Sequence, residues 1–463
     1  MSAARSPLAS PFSALSVDAC RARIRARNDE LNAVLCVLDP PQSDSLAKRS
    51  APLAGVPYVL KDTWDTAGIV TTGGSWRHRE RVPAVSSHAH RALAGAGAVL
   101  LGKSNLCDLA FSTESDNHMR GPVRNPYDLT RTAGGSTGGG AAAVADGMAA
   151  FDWGTDFGGS IRGPSAFCGV VGLRLSHAVW PVGIEHFPRI SPFFWDFCGM
   201  GPLTRTVQAA RIVTHAVSGA LRDSRKKHVA MDERRVLVYA PDRAHEADWP
   251  TFTEDTTRLL DQAGIAWAIT HALPTPTAVH ALFTKFFVAH FKEFIAGDEL
   301  PVRQALPAVL LALTTGGRFD KRVHRNTALL FAGSAALSLR FRDREGPARA
   351  LAKLRADLAE IWERGTLVLT PTCTGRPPKH GRAAFAYRLM TFCMLGNMTD
   401  ATGLALPFGN YPAMAPQGRW GRWSRDPAAT PPMPRSLQIL GPPGSEDAVL
   451  DLAERLETTI AHS

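Results

Sequence analysis

The chain contains the stretch Gly134-Gly135-Ser136-Thr137-Gly138-Gly139 and, shortly after it, Gly158-Gly159-Ser160-Ile161-Arg162. A lysine, Lys61, precedes both serine loops and follows the apolar run Gly55-Val56-Pro57-Tyr58-Val59-Leu60. A short apolar run of this length predicts a buried strand. We therefore expect Lys61 at the end of a buried strand.

These three elements hold the groups that hydrolysis by a serine requires. A serine hydroxyl is a weak nucleophile until a neighbouring base takes its proton, and the oxyanion that forms needs backbone N–H donors. Glycines beside the serine permit a close approach of the backbone. Lys61 can be the base only when it is neutral, which requires burial to lower its pKa towards roughly 7 to 8. Single Gly-Ser loops mostly form turns, so the hypothesis depends on all three elements together.

With their flanks, these residues resemble the amidase signature family. The resemblance is strong over roughly residues 50–206 and faint elsewhere. Its further motifs are Pro52-Leu53-Ala54-Gly55-Val56-Pro57, Lys61-Asp62, Gly102-Lys103-Ser104-Asn105, Gly121-Pro122-Val123-Arg124-Asn125-Pro126-Tyr127-Asp128 and Pro164-Ser165-Ala166-Phe167-Cys168-Gly169. The resemblance implies an α/β fold with a large mixed central β-sheet flanked by helices on both faces.

The resemblance also implies a catalytic triad. Ser160 would be the nucleophile, Ser136 the relay that follows a cis peptide bond, and Lys61 the general base. The backbone N–H groups of Phe157, Gly158, Gly159 and Ser160 would form the oxyanion hole.

Further site residues follow from the same resemblance. We expect Phe111, Gly134 and Gly135 to contact substrate. Thr155, Asp156 and Arg162 are expected to support the loops. Thr137 departs from the family pattern, because relatives often carry a second serine at that position.

Composition is that of a folded enzyme. The 463 residues are 45% hydrophobic and 20% charged, which is ordinary for a globular chain with a large core. The formal net charge of +10 is spread along the sequence, so no nucleic-acid partner is expected. No segment reaches the length of apolar sequence that a membrane span needs.

The seven cysteines are odd in number and show neither CxxC pairs nor a cluster with histidine. We therefore expect no zinc site, no other metal and no cofactor. Free thiols in a chain of this length are typical of a reducing compartment, and we expect a cytoplasmic protein. Residues 1–14 lack the apolar segment of a secretory signal.

Two motifs suggest other functions and are set aside. Gly97-Ala98-Val99-Leu100-Leu101-Gly102-Lys103-Ser104 fits the phosphate-loop pattern, but its apolar interior predicts a strand. Arg419-Trp420-Gly421-Arg422-Trp423-Ser424-Arg425 mixes cations with aromatic rings, as single-strand binders do. One such stretch before a proline-rich segment is more typical of a surface loop.

We predict a single domain over residues 1–463. Residues 14–38 are predicted to form a leading helix, residues 50–215 the signature core, residues 216–365 a variable helical cap, and residues 366–463 the return to the core. Predicted strands outside the signature part lie at residues 235–239, 265–269, 367–371 and 404–407. A closing helix is predicted at residues 445–462.

The variable part gives the clues to substrate. Phe283, Phe287, Phe291 and Phe294 recur at helical spacing, which favours core packing over an acyl pocket. Phe111 lies at a position that lines the substrate channel in relatives. Apolar helices are expected near residues 306–313 and 329–339, buried rather than docked on a membrane. These features favour a small-molecule amide with an apolar or aromatic acyl group.

Several alternatives stay open at this point. The chain could transfer its acyl group to an amine, or serve as the glutaminase subunit of an amidotransferase. A catalytically silent binding homologue is the non-enzyme alternative, and retention of Lys61, Ser136 and Ser160 argues against it. The oligomeric state is also open, with a homodimer as one option.

Overall fold

A mixed β-sheet forms the centre of the molecule. The structure is a computed structural model that describes residues 11–12, 14–44, 50–180, 185, 187, 191–218, 235–240, 251–291, 310, 314, 323–340, 343, 345–363, 365–411 and 432–462. Within these residues the strands are β1 (Val34–Gln42), β2 (Pro57–Lys61), β3 (Val99–Ser104), β4 (Arg124–Asn125), β5 (Asp128–Thr132), β6 (Phe151–Asp156), β7 (Val171–Arg174), β8 (Gly199–Thr204), β9 (Val236–Tyr239), β10 (Trp267–Thr270), β11 (Leu367–Pro371), β12 (Thr402–Asn410) and β13 (Pro434–Gly441).

Eleven strands join into one sheet with the order β1-β3-β2-β6-β8-β7-β12-β13-β11-β9-β10, while β4 and β5 form a separate pair. β2 is parallel to both β3 and β6. β9 is parallel to β10 and β11. The remaining pairs in the large sheet are antiparallel.

Helices surround the sheet. Those in the described residues are α1 (Val17–Leu31), α2 (His88–Gly95), α3 (Gly138–Asp146), α4 (Arg162–Cys168), α5 (Val207–Ser218), α6 (Phe252–Gln262), α7 (Pro276–Ala289), α8 (Arg325–Arg340), α9 (Glu345–Trp362), α10 (Thr391–Met398) and α11 (Glu446–His462). Short 3-10 helices lie at Trp76–His78, Asp108–Ala110, Pro192–Phe197 and Ala383–Met390. None of the helices in these described residues is long and apolar enough to cross a membrane.

Both faces of the sheet are covered. Successive side chains of a strand point to opposite faces, and β2 demonstrates this. Tyr58 and Leu60 pack into one apolar cluster with residues of α2, α5 and α11. Val59 between them packs into another cluster with residues of α1 and α3. The predicted α/β fold, a large mixed sheet with helices on both faces, is confirmed.

Most predicted strands are present with small shifts of their ends. The phosphate-loop pattern is indeed a strand, since β3 pairs with β1 on one side and β2 on the other. β11 has the predicted bounds, and the closing helix starts one residue late, at Glu446. The strand predicted at residues 265–269 begins instead at Trp267.

The leading helix is shorter than predicted, and the expectation that it reaches residue 38 is wrong. Asn32 ends the helix in the left-handed conformation, with φ of 55°, and its N–H donates to Asn28 O. Asparagine tolerates this conformation at a helix end. The chain then turns into β1, where Val34 pairs with Ser104.

Residues 252–362 supply a second apolar cluster beside the sheet. Phe283, Phe287 and Phe291 are buried in it together with Phe286, so the phenylalanine stripe packs in the core, as predicted. The helix predicted near residues 329–339 lies within α8. Phe294, residues 419–425 and all of residues 306–313 except Leu310 lie outside the described residues.

Candidate active site

Lys61 lies at the carboxyl end of β2, where every residue of the strand is buried. Its side chain is fully buried. Nζ donates to Ser136 Oγ at 2.7 Å and to Thr155 Oγ1 at 2.8 Å. Burial lowers the pKa of Lys61 to about 8, although nearby acidic groups and thiols oppose the shift. A substantial fraction of Lys61 is therefore neutral at mildly alkaline pH, as a general base must be.

The Ser136 loop is held against the segment that follows Phe111. The Gly135–Ser136 peptide bond is cis, as the resemblance implies. A Cβ on Gly135 would lie 2.7 Å from Ser112 O, so only glycine fits this contact. Ser115 Oγ donates to Ser136 O at 3.1 Å and accepts from Gly138 N at 2.9 Å. These contacts fix Ser136 beneath the second loop.

Ser160 lies in the loop between β6 and α4, and it is half-buried. Thr137 N donates to Ser160 O at 3.2 Å, which joins the two serine loops directly. Gly159 has φ of 108°, and a Cβ there would lie 2.7 Å from Cys393 Cβ. This backbone conformation is one that glycine adopts readily. The two loops and Lys61 are thus gathered at one edge of the parallel part of the sheet.

Asp156 and Arg162 form a buried ion pair that braces the Ser160 loop. Arg162 Nη2 lies 3.0 Å from Asp156 Oδ1, and both side chains are fully buried. Asp156 also accepts from the N–H groups of Gly159, Ile161 and Arg162. Burial would raise the pKa of Asp156, but the Arg162 guanidinium outweighs it and holds this pKa well below its usual range. The carboxylate therefore stays charged and fixes the loop.

One expected oxyanion donor is already committed. Gly159 N donates to Asp156 Oδ1 at 2.8 Å, so this N–H points into the brace and is corrected from oxyanion donor to loop support. Phe157, Gly158 and Ser160 stay candidates for the oxyanion hole. Thr155, expected only as support, also binds Lys61 through its hydroxyl.

Aromatic rings line the approach to the Ser160 loop. Phe157 packs against Phe283 and Phe194, with ring centroids 6.0 Å and 5.8 Å away. Phe111 packs against Phe331 at 4.8 Å. Phe157 and Phe111 are half-buried, whereas the rings behind them are buried. A Cβ on Gly158 would lie 3.4 Å from both Phe283 Cζ and Tyr387 Oη, so the aromatic wall reaches the glycine loop itself.

The sequence interpretation missed several polar residues of this site. Asn397 Nδ2 donates to Asp156 Oδ1 at 2.9 Å, and no local pattern connects two residues so distant in the chain. Asp152 is fully buried on β6, and its signal was an acidic residue within the apolar strand Phe151–Asp156. Tyr387 lies where the family resemblance is faint. Among the described residues, no group of three or more His, Cys, Asp or Glu could hold a metal ion.

Known structures with the same architecture define the class. A glutamyl-tRNA(Gln) amidotransferase subunit from Thermotoga maritima matches with a TM-score of 0.70 and 21% identity, over 95% of this chain and 90% of that one. A bacterial aryl acylamidase of the amidase signature family matches with a TM-score of 0.69 and 19% identity, over 97% and 94% of the two chains. At these identities the likeness concerns the fold, which is that of the amidase signature enzymes.

The family follows from the sequence match. The Amidase family model matches residues 16–450, and the chain belongs to this family. It is 37% identical over 226 residues to the corresponding glutamyl-tRNA(Gln) amidotransferase subunit of an Exiguobacterium species. That alignment covers 48% of this chain and 44% of the relative, so the match spans less than half of the curated relative.

Proposed function

We propose that this chain is an amidase that cleaves a carboxylic amide through an acyl-enzyme on Ser160. The observation that carries the proposal is the hydrogen bond of 2.7 Å between the fully buried Lys61 Nζ and Ser136 Oγ. Burial gives this lysine a pKa of about 8. A buried lysine bound to a serine hydroxyl is suited to act as a base rather than as a surface charge.

In the proposed reaction, Ser160 Oγ attacks the amide carbonyl while its proton passes to Ser136 Oγ. The Ser136 proton passes to neutral Lys61. Backbone N–H groups of the Ser160 loop stabilise the oxyanion of the tetrahedral intermediate. When the C–N bond breaks, the proton returns through Ser136 to the leaving amine. Water then attacks the ester, and the same relay releases the carboxylic acid and restores Ser160.

An apolar or aromatic acyl group suits the surroundings of Ser160. Phe111, Phe157 and Tyr387 are half-buried beside the loop, and each is backed by further buried rings. Aromatic side chains bury large areas and favour edge-to-face or offset contacts with another ring. We infer that the acyl group of the substrate occupies the space in front of these rings.

A second candidate is glutamine hydrolysis within an amidotransferase, because the Exiguobacterium relative bears that function in its name. In this case the substrate is glutamine, and a partner protein receives the ammonia. Acyl transfer to an amine is a variant of the first candidate in which another nucleophile replaces water. Each makes a different acyl-enzyme or product.

The deciding experiment is intact-mass analysis of acid-quenched protein after incubation with benzamide, hexanamide, acetamide and glutamine, with product release measured in parallel. We expect a benzoyl or hexanoyl adduct mapped to Ser160 and absent from Ser160→Ala. A glutamyl adduct with rapid ammonia release would favour the glutaminase candidate. Hydrolysis by Ser160→Ala at more than a tenth of the wild-type rate would overturn the acyl-enzyme proposal.

A further inference from the structure

Asp152 is a fully buried carboxyl group that the proposed proton path does not use. Ser104 Oγ donates to Asp152 Oδ1 at 2.7 Å. Asp152 Oδ2 has no hydrogen-bond partner within the described part of the chain. A Cβ on Gly140 of α3 would collide with this oxygen. A buried carboxylate with an unpaired oxygen is costly, so its place in the core calls for a compensating interaction.

The register of the sheet places Asp152 on the same face as Lys61. In the parallel pair of β2 and β6, Asp152 lies opposite Val59, which is two residues before Lys61. In the pair of β2 and β3, Ser104 lies opposite Lys61. Because opposed residues share a face and faces alternate along a strand, Lys61, Ser104 and Asp152 are on one side of the sheet.

The second buried lysine is on the other side and has its own carboxylate. Lys103 lies opposite Leu60, and its Nζ is 3.6 Å from Asp62 Oδ1. It also donates to Trp64 O at 2.5 Å and to Thr71 Oγ1 at 3.0 Å. The two lysines are therefore separated by the sheet, and Asp62 serves Lys103.

We propose that Asp152 is the positioning residue that sets the basicity of Lys61, as a carboxylate on the lysine's own side of the sheet. The inference rests on the proposed role of Lys61 as the base. Burial removes water from Lys61 and favours its neutral form. A negative charge nearby offsets part of that effect, so Lys61 retains enough affinity for the Ser136 proton.

The other charges around Lys61 leave this role to Asp152. The groups that act on Lys61 electrostatically are Cys107, Asp152, Cys198 and Asp156. Burial raises the pKa of both thiols to about 12, so both are neutral at working pH. Asp156 is committed to Arg162.

Asp152 itself is charged where Lys61 titrates. Burial raises the pKa of Asp152 to about 7, against the lowering by Ser104, Lys61 and Lys103. The carboxylate is therefore mostly ionised at pH 8. Removing this negative charge must lower the pKa of Lys61, because its protonated form loses a favourable interaction.

The test is the pH dependence of two rates in Asp152→Asn. One rate is kcat/KM for amide hydrolysis, and the other is the second-order rate of Ser160 labelling by a fluorophosphonate. We expect the ascending limb of both to shift to lower pH by roughly one unit, with a lower plateau, because a weaker base accepts the proton less well. Asp116→Asn is the matched control, since Asp116 also has a pKa of about 7 but is not among the groups acting on Lys61. Its limb should not move.

Thermal unfolding shows whether Asp152→Asn is folded, and Ser104→Ala is the second variant. Loss of the Ser104 hydrogen bond raises the pKa of Asp152 further, so the limb should shift in the same direction by a smaller amount. A wild-type limb in folded Asp152→Asn overturns the inference. If Asp152→Asn does not fold, a wild-type limb in Ser104→Ala does so. An active Lys61→Arg would instead overturn the proposed base.

Discussion

The signature core and the helical region of residues 252–362 are held together in different ways. In the core, fully buried polar side chains meet at hydrogen-bond distance, as Lys61 does with Ser136 and Asp156 with Arg162. In the helical region, α7, α8 and α9 meet through aromatic and aliphatic side chains. Hydrogen-bond geometry restricts the residue type far more than apolar packing does. The difference teaches that chemistry belongs to the core and that the helical region is suited to substrate selection.

The sharpest way to break this division is Ser160→Ala. No other nucleophile is expected in the loop, so kcat should fall on the order of 10³ or more for every amide, large or small. The measurement is steady-state hydrolysis of benzamide and acetamide, with thermal unfolding as the control for the fold. A loss confined to one substrate size would show that the core also selects substrate.

Lys61→Arg should be nearly as damaging. A guanidinium keeps its proton in proteins, so the variant has a cation but no base. In the wild type, Lys61 is neutral above its pKa of about 8, and kcat/KM should therefore rise with pH through about pH 8 and then level off. Lys61→Arg should lose that limb and roughly 10² or more of the rate. Substantial activity in this variant would mean that Lys61 contributes only positive charge.

Asp156→Asn tests the polar bracing of the core by its effect on stability. The substitution leaves the buried Arg162 guanidinium without its partner, which typically costs about 3 to 5 kcal/mol. Urea denaturation measures the loss. The control is Glu254→Gln in the helical region, whose ion pair with Arg258 is exposed and should contribute at most about 1 kcal/mol. Equal losses in the two variants would contradict a specific role for the buried pair.

The sequence could predict the signature core because its contacts lie within recognisable motifs. Lys61, Ser136 and Ser160 are marked by their flanking residues, and their strands are short apolar runs. The end of the leading helix was missed because the helical spacing continues past Asn32, while the strand pairing of Val34 is a long-range contact.

Long-range contacts explain the other missed features. Asp156 is bound by Asn397 and Gly158 is approached by Tyr387, and both partners lie more than 200 residues further along the chain. No local pattern reports such pairs. Gly159 was taken as an oxyanion donor since the resemblance gives the loop but not the direction of each N–H.

The smallest expected effect concerns Phe111, where the core meets the helical region through Phe287 and Phe331. If Phe111 lines the acyl channel, Phe111→Ala should raise KM for benzamide more than for acetamide, since only the larger acyl group buries area against the ring. A fully buried aromatic contact contributes roughly 1.5 to 3 kcal/mol, which corresponds to about 10-fold to 150-fold in KM. Phe193→Ala is the matched control, because Phe193 is 45% exposed and packs on Phe286 away from Phe111. It should leave the ratio of the two KM values unchanged. An equal rise for both amides in Phe111→Ala would place the ring outside the acyl pocket and leave the helical region with packing as its role.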